Sequence, residues 1–391
     1  MAAIPLSLIL ILGGLSAFGP FATDMYLPAF PAIAEALRTD PAAVQRTLAA
    51  FFAGMGLGQL LYGAASDRWG RKAPIFAGLG LFIAASVGAA LAEGIGWFTA
   101  MRLAQGLGGC AGVVVARAIA RDLTEGPAMV RLMSQLMLVG GIAPIIAPSV
   151  GGLLLGGVGW RGIFWTLAAY AAVLALAVAL LLPESLPPAR RRRDGPLAIL
   201  RTYARLLGNR RFLGLALSGA LPVAGMFAYI GGSPFVFMEL HGIPPQGYGL
   251  FFGANALGIM IVAQANAWAM RRGVAAARAL SVVQAAMGVA GLLLLATAAT
   301  GIGGFPGLVA ALFCYVAGVG AVMPLASSLA MAPHGAVAGS ASALIGTLQF
   351  GLGALTGWLV GALHDGTAVP MALAVALCGL GGILVRRALV R

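Results

Sequence analysis

The chain has 391 residues, of which 61% are hydrophobic and only 9% are charged. Soluble domains carry about 25% charged residues, so a water-soluble core is excluded, and disorder is excluded because unstructured segments have low hydrophobicity. The net charge of +13 does not indicate a nucleic-acid partner, because the arginines lie at the ends of apolar runs. The 58 glycines favour closely packed helices over a barrel. We therefore expect an all-α membrane protein.

Twelve apolar segments are long enough to cross a bilayer, which requires roughly 20 residues each. These predicted spans cover residues 4–27, 46–64, 74–92, 96–119, 131–156, 160–182, 210–231, 247–269, 278–298, 304–328, 336–361 and 368–387. Of the 24 lysines and arginines, 20 follow spans 2, 4, 6, 8 and 12. By the positive-inside rule this predicts a multi-pass protein of a bacterial inner membrane with both termini in the cytoplasm.

A polar, proline-containing and basic segment at residues 183–209 interrupts the series of spans. It divides the chain into an N-terminal half of six spans (residues 1–182) and a C-terminal half of six spans (residues 210–391). We interpret residues 183–209 as a cytoplasmic linker whose arginines at positions 190–193 lie near anionic lipid. A regulatory or nucleic-acid-binding patch is the alternative.

The two halves resemble each other weakly. Residues 63–72 (GAASDRWGRK) follow span 2, and residues 269–273 (AMRRG) follow span 8, with Met270 at the position of Asp67. This predicts two pseudo-symmetric halves with a substrate path between them.

An ionisable residue inside a span indicates a functional site. Asp24 lies near the outer end of span 1, and Arg102 lies about 9 Å into span 4 from the same side, at 1.5 Å per residue. Their side chains can therefore satisfy each other directly, through water or through another side chain. Burial and a nearby arginine act in opposite directions on a carboxyl group, so we expect Asp24 to bind and release a proton under the influence of Arg102. The alternative is that Asp24 only ends the helix.

Three further groups are candidates for the transport path or its gates. On span 4, Arg102, Gln105 and Gly106 share a face with Gly109 and Gly112, which either lines a cavity or packs against a neighbouring helix. On span 5, Pro144, Pro148, Gly151 and Gly152 predict a bent, closely packed helix. After span 2, Asp67 is expected to face the positive N-terminus of span 11 and, with Arg68 and Arg71, to act as a conformational gate.

The C-terminal half has no ionisable residue within its spans, so its substrate contacts are expected to be aromatic or neutral polar side chains. The candidate substrate-binding residues of both halves are Tyr26, Gln105, Phe227, Tyr229, Tyr248, Asn255, Tyr315 and Gln349. Cys110, Cys314 and Cys378 have no partners at the spacing of a disulfide or a metal site, and we interpret them as small buried side chains.

Several of these motifs resemble known signatures. Residues 63–72 resemble the G-x-x-x-D-R-x-G-R-K signature of the major facilitator superfamily, residues 101–106 resemble its helix 4 arginine motif, and residues 144–152 resemble its helix 5 antiporter motif. Other stretches are similar to the bicyclomycin-resistance and chloramphenicol-efflux (Bcr/CflA) drug:proton antiporter family, namely residues 24–28, 116–122, 232–237 and 339–344.

The resemblance implies the twelve-helix major facilitator fold, alternating access, and drug export driven by the proton gradient. It also implies that Asp24 and Arg102 couple proton and drug. Two departures are Ala147, where the antiporter motif usually has glycine, and Ser16, where some multidrug relatives have a second acid. The second departure favours neutral or zwitterionic substrates over dications.

Three classes of function remain open. A proton-coupled exporter of small amphipathic drugs or metabolites agrees best with these patterns, and an uptake symporter on the same fold is the alternative. A membrane enzyme or receptor is disfavoured, because His241, His334 and His364 lie at loops or span ends. We expect a monomer in the lipid bilayer with no cofactor and no metal.

Overall fold

The computed structural model describes residues 5–124, 126–191 and 196–390, which are almost entirely helical. Arg192 and Arg193, which the sequence analysis assigns to the lipid-facing part of the linker, lie outside these residues. The helices of the first half are α1 (Leu6–Ser16), α2 (Phe18–Asp24), α3 (Phe30–Ala36), α4 (Pro41–Trp69), α5 (Lys72–Ala90), α6 (Ile95–Leu123) and α7 (Gly126–Leu181). They are followed by α8 (Pro196–Gly208), α9 (Arg210–Pro234), α10 (Pro245–Arg271), α11 (Ala276–Thr300), α12 (Gly304–Met331), α13 (Ala338–Ala362) and α14 (Val369–Leu389).

The described helices account for twelve spans. Ten are long and apolar enough to cross a membrane, and the bent pair Leu6–Ser16 and Phe18–Ala36 makes eleven. The 56-residue α7 is interrupted at Gly159, where φ is 71°. A positive φ is readily adopted by glycine and ends an α-helix, so α7 contains a first segment (residues 126–158) and a second segment (residues 160–181). Twelve predicted spans are therefore confirmed.

Local signals explain several helix boundaries. Asp40 precedes α4 and its carboxylate accepts a hydrogen bond from the backbone N–H of Ala43, while Pro41 occupies the first turn. Asn209 caps α9 in the same way, accepting a hydrogen bond of 2.9 Å from the N–H of Phe212. These side chains satisfy backbone donors that the first helical turn leaves free. Span 1 extends beyond the predicted residue 27, because the chain continues after α2 through a 3₁₀ turn (Leu27–Ala29) into α3, which ends at Ala36.

The same pairs of helices pack together in both halves. In the first half α4 and α5 pack against α6, and in the second half α10 and α11 pack against α12. The halves meet along two interfaces, α4 with α13 and the first segment of α7 with α10. This arrangement is the two-fold pseudo-symmetric bundle that the sequence predicts. The boundaries at residues 182 and 210 stay a prediction, and α8 lies within the predicted linker.

Glycines allow the close approach of backbones at these contacts. A Cβ on Gly54 would collide with the backbone of Leu103 on α6. On α13, a Cβ on Gly361 would lie 3.2 Å from the carbonyl oxygen of Ala42 on α4.

The interpretation of the three cysteines as small buried side chains is wrong at one position. Cys110 and Cys378 are buried, but Cys314 is exposed, because its side chain lies on an outer face of α12.

Candidate functional site

A cavity of about 240 Å³ lies between the two halves, near the middle of the bundle. Its wall combines α2, α4 and the first segment of α7 with α9, α10, α12 and α13. The wall is mostly apolar and aromatic, with the rings of Phe51, Phe52, Phe227, Phe252 and Phe350. Its polar side chains are Thr23, Asp24, Tyr229 and Asn255. Ligand sites of this kind bind apolar molecules and orient them with a few polar groups.

Asp24 is the acid that lines this cavity in the described part of the chain, and it is only 3% exposed. It lies at the C-terminal end of α2, where the α-helix stops before a turn. One of its carboxyl oxygens, Oδ1, lies 2.7 Å from the hydroxyl of Thr23. A buried carboxyl group with one neutral hydrogen-bond partner can exchange a proton when the water around it changes.

The Thr23 hydroxyl has three oxygen neighbours: the carbonyl of Gly19 at 2.9 Å, the carbonyl of Pro20 at 3.3 Å and Asp24 Oδ1 at 2.7 Å. A hydroxyl has one proton to donate. When Asp24 is ionised, Thr23 can donate that proton to the carboxylate. When Asp24 is protonated, the carboxyl group can donate to Thr23 while Thr23 donates to a helix carbonyl. The arrangement therefore satisfies both protonation states.

Arg102 lies behind the cavity wall, with no exposed surface. Its guanidinium donates hydrogen bonds to Gln105 Oε1 and, at 3.0 Å, to the carbonyl oxygen of Ala22. The guanidinium carbon also lies 4.2 Å from the ring centre of Tyr26 and 4.6 Å from that of Phe51. Aromatic faces attract a cation, so these rings partly replace the water that burial removes.

The direct ion pair between Asp24 and Arg102 that the sequence allows is absent from the described ion pairs. Arg102 instead contacts α2 through the carbonyl of Ala22, two residues before Asp24. The Phe51 ring contacts the guanidinium and also lines the cavity. The two charged groups are thus connected through α2 and an aromatic ring and not through a shared hydrogen bond.

On the opposite wall, the Asn255 amide donates a hydrogen bond of 2.8 Å to the Tyr229 hydroxyl. The Tyr229 ring stacks on Phe252 with ring centres 5.6 Å apart. Phe227 lies between two further rings, 4.3 Å from Phe52 and 5.4 Å from Phe350. This aromatic cluster joins α4 of the first half to α9 and α13 of the second.

Of the predicted substrate-binding residues, Phe227, Tyr229 and Asn255 line the cavity, and Tyr26, Gln105, Tyr248, Tyr315 and Gln349 do not. The three tyrosines outside the cavity are fully buried, and their hydroxyls form hydrogen bonds with other residues. The hydroxyl of Tyr26 contacts Thr47 at 3.1 Å, and that of Tyr248 contacts Ser233 at 2.7 Å. The hydroxyl of Tyr315 contacts the carbonyl oxygen of Pro222 at 3.1 Å. Gln105 donates to Ser86 at 2.7 Å, and Gln349 is buried.

The glycines that share the Arg102 face of α6 take part in helix packing. A Cβ on Gly106 would collide with the carbonyl oxygen of Phe51 on α4, and one on Gly112 would lie 2.8 Å from the carbonyl oxygen of Leu15 on α1. Most other lining residues were not predicted from the sequence, among them Thr23, Phe51, Phe52, Met55, Phe252 and Phe350. Only Thr23 carried a signal, since it is polar and next to an intramembrane acid.

The predicted bent helix of span 5 bridges the halves. Pro144 lines the cavity, and Pro148 is buried one turn further along. Gly151 faces the backbone of Met25, immediately after α2, so closely that a Cβ there would collide with its carbonyl oxygen. Gly152 faces the start of α10 instead, where a Cβ added to Gly152 would lie 3.4 Å from the carbonyl oxygen of Pro245.

Arg71 organises the loop between α4 and α5. Its guanidinium is bonded to Asp67 at 2.7 Å and to Asp122 at 2.7 Å. Its backbone N–H donates to Glu184 Oε1 at 2.8 Å. Desolvation lowers the pKa of Arg71, but the hydrogen bonds to Asp122 and Asp67 outweigh it and raise the pKa above its usual value. The loop is therefore fastened to α6 and to the residues after α7.

Asp67 and Arg68 also line a second cavity, together with Gly339 and Ser340 at the start of α13. From the sequence, Asp67 is expected to face this helix N-terminus. The two are on the same cavity, but the hydrogen bond that Asp67 accepts in the described residues comes from Arg71.

Comparisons with known proteins agree with this architecture. Residues 12–358 match the family described as Major Facilitator Superfamily. The chain is 36% identical over 370 residues to the "Uncharacterized MFS-type transporter YdgK" of Bacillus subtilis, covering 94% of this chain and 91% of that protein. It is 32% identical over 381 residues to a "Bicyclomycin resistance protein homolog" of Haemophilus influenzae, covering 96% and 94% of the two chains.

A similar solved structure is the crystal structure of a D-xylose-proton symporter, with a TM-score of 0.74, 15% identity and coverage of 97% and 96% of the two chains. At that identity the likeness concerns the fold alone. The family match across most of the chain and the identity to full-length relatives establish the family. The chain belongs to the Major Facilitator Superfamily, within it to the Bcr/CflA family, and is a membrane transporter and not an enzyme.

Proposed function

We propose that the protein is a proton-coupled antiporter that exports small amphipathic drugs or metabolites across the bacterial inner membrane by alternating access. The observation that carries this proposal is Asp24, a buried acid in an aromatic cavity between the two halves. A relative of similar length is named a bicyclomycin resistance protein homolog, which supports a drug as the exported substrate.

Asp24 is the proton carrier in this proposal. An apolar drug in the cavity excludes water from the carboxyl group and leaves Thr23 as its hydrogen-bond partner. When the cavity opens and water enters, the ionised form becomes more favourable. The guanidinium of Arg102 holds α2 through Ala22 and adds a positive charge behind the wall. Arg102 is thus a positioning residue for Asp24.

The drug is expected to contact the cavity-lining residues Phe227, Tyr229 and Asn255. With Tyr229 and Asn255 bonded to each other, few polar groups remain for the substrate. This composition favours an apolar or amphipathic molecule over a hydrophilic one. An uptake symporter for a polar metabolite is the second possibility on this fold, and no feature of the cavity favours it.

The proton gradient is the energy source in this proposal, without a bound cofactor, and the transporter acts as a monomer. The positive-inside rule assigns both termini and the Asp67 end of the bundle to the cytoplasm. The Arg71 network then holds the cytoplasmic end together, and Gly151 and Gly152 keep α7 close to both halves as they move.

Everted membrane vesicles test the proposal. Adding bicyclomycin to energised vesicles that contain the exporter should cause drug accumulation and release of protons from the lumen. Asp24→Asn should abolish both, because the amide cannot carry a proton. Asp365→Asn is a matched control and should behave as the wild type, since Asp365 is exposed and accepts hydrogen bonds from its neighbour Thr367. Full proton release by Asp24→Asn contradicts the proposal, as does drug-driven proton uptake.

A further inference from the structure

A second cavity, of about 90 Å³, lies at the Asp67 end of the bundle, where three parts of the chain meet. The first half contributes α4 and α6, the linker contributes Ile199 and Tyr203 of α8, and the second half contributes the start of α13. It is separate from the central cavity and shares no lining residue with it.

The charge in this cavity is strongly positive. Arg68, Arg117 and Arg121 all line it, and Asp67 is the acid among its lining residues. Asp67 is already bonded to Arg71. Within the described part of the chain, no ion pair includes any of the three cavity arginines. Arg121 makes only a long hydrogen bond of 3.4 Å to the carbonyl oxygen of Arg117.

The facing wall adds hydrogen-bond donors from the other half. Ser340 and Ser342 line the cavity there, next to Gly339. No side chain caps the N-terminus of α13, so its positive end adds to the field of the arginines. The three guanidiniums on one wall therefore face the positive start of α13 on the other, and an anion between the two walls is attracted to both.

We propose that this cavity binds a phosphate-type oxyanion between the arginines of the first half and the start of α13. Guanidinium groups bind phosphate oxygens with paired, charge-assisted hydrogen bonds. The cavity volume of about 90 Å³ is several times the roughly 10–15 Å³ that one water molecule needs in the same measure, so a phosphate group fits between the walls. The phosphate comes from a free anion or from the phosphodiester of a lipid headgroup.

Both walls of the site are in place only when this end of the bundle is closed. An oxyanion that contacts both halves therefore stabilises the closed arrangement and shifts the population of conformations towards it. Loss of the anion removes this link between the two halves and favours opening. This inference is independent of the identity of the transported substrate.

Thermal unfolding of the purified full-length protein in a non-ionic detergent tests the site. Inorganic phosphate is titrated while sodium chloride keeps the ionic strength constant. The melting temperature should rise and saturate, because a ligand that binds only the folded state stabilises it. Arg121→Gln and Arg117→Gln should each need at least tenfold more phosphate for the same rise. Arg278→Gln, which removes an exposed arginine outside the cavity, should match the wild type.

Lipid nanodiscs distinguish the two sources of phosphate. If phosphatidylglycerol raises the melting temperature relative to phosphatidylcholine, and Arg117→Gln and Arg121→Gln abolish the rise, the ligand is a lipid headgroup. If only added inorganic phosphate raises the melting temperature, and the same two variants abolish that rise, the ligand is a free anion. Either result supports the site. Because Arg121 is exposed, its replacement leaves the core intact. Equal responses of the wild type and Arg121→Gln to both probes overturn the proposal.

Discussion

The proton chemistry proposed for Asp24 depends on the hydroxyl of its neighbour. Thr23 lies 2.7 Å from Asp24 Oδ1 and 2.9 Å from the carbonyl oxygen of Gly19. When this hydroxyl rotates from Asp24 towards the Gly19 carbonyl, its oxygen becomes free to accept a hydrogen bond from the protonated carboxyl group. A buried carboxyl group thereby avoids an unsatisfied hydrogen bond in either protonation state, which would otherwise cost about 1–3 kcal/mol.

Thr23→Val should therefore change the pH dependence of transport without removing it. The ionised carboxylate loses its hydroxyl donor, and a hydrogen bond to a charged group contributes about 1.5–3 kcal/mol. Because one pH unit corresponds to about 1.4 kcal/mol, the pH at half-maximal drug-induced proton release should rise by roughly one to two units. Thr23→Ser keeps the hydroxyl and should keep the wild-type profile. Identical profiles for the valine and serine variants would refute a role for the hydroxyl.

The sequence identified part of the site for a clear physical reason. An acid inside an apolar span is conspicuous because its burial is costly, and Asp24 does line the cavity. Tyr248 and Asn255 are seven residues apart on α10 and so share a face, but two helical turns separate them by about 10 Å along the axis. Periodicity gives the face of a helix and not the depth of a cavity. Apolar lining residues such as Phe52 and Met55 had no distinguishing signal in an apolar helix.

At the scale of helices, hydropathy predicts the twelve spans but not the positions at which the helices are interrupted. The sequence predicts separate spans on either side of residue 158, and the structure joins them in α7 with a single break at Gly159. The sequence predicts span 1 as one segment, although the chain is bent by 43° between α1 and the helical segment Phe18–Ala36 and α2 ends at Asp24. Such interruptions depend on what packs beside them, as Gly151 packs beside the turn after α2, and hydropathy contains no information about neighbours.

Gly151→Ala tests the contact between α7 and the turn that follows α2. The added Cβ would overlap the carbonyl oxygen of Met25, and backbone atoms cannot move aside as a flexible side chain can. Overpacking of this kind destabilises by about 1–3 kcal/mol, so the melting temperature in detergent and the rate of drug efflux should both fall.

Gly156→Ala is the matched control on the same helix. No heavy atom lies within 4 Å of a Cβ at Gly156, and alanine favours a helix over glycine by about 1 kcal/mol. Its melting temperature should stay the same or rise. If Gly151→Ala is as stable and as active as Gly156→Ala, the contact with Met25 has no structural or functional importance.

At the scale of the whole molecule, the α4–α13 interface must open at one end at a time for alternating access to operate. This structure holds it closed on both sides of the central cavity. On the Asp67 side, a Cβ on Gly63 would lie 3.9 Å from the Cβ of Ala343, and on the other side a Cβ on Gly357 would lie 3.6 Å from that of Ala49. Thr347 adds a hydrogen bond of 3.1 Å to the carbonyl oxygen of Gly56.

Both pairs lie within the range of about 3.5–4.5 Å that a disulfide requires between Cβ atoms. In a Cys314→Ser background, Gly63→Cys with Ala343→Cys should form a disulfide under mild oxidation, and so should Gly357→Cys with Ala49→Cys. Each disulfide should stop drug efflux, because it prevents one end from opening, and a reductant should restore the rate. The corresponding single-cysteine variants should transport in both conditions. Continued efflux with either disulfide intact would mean that substrate crosses without separation of α4 and α13.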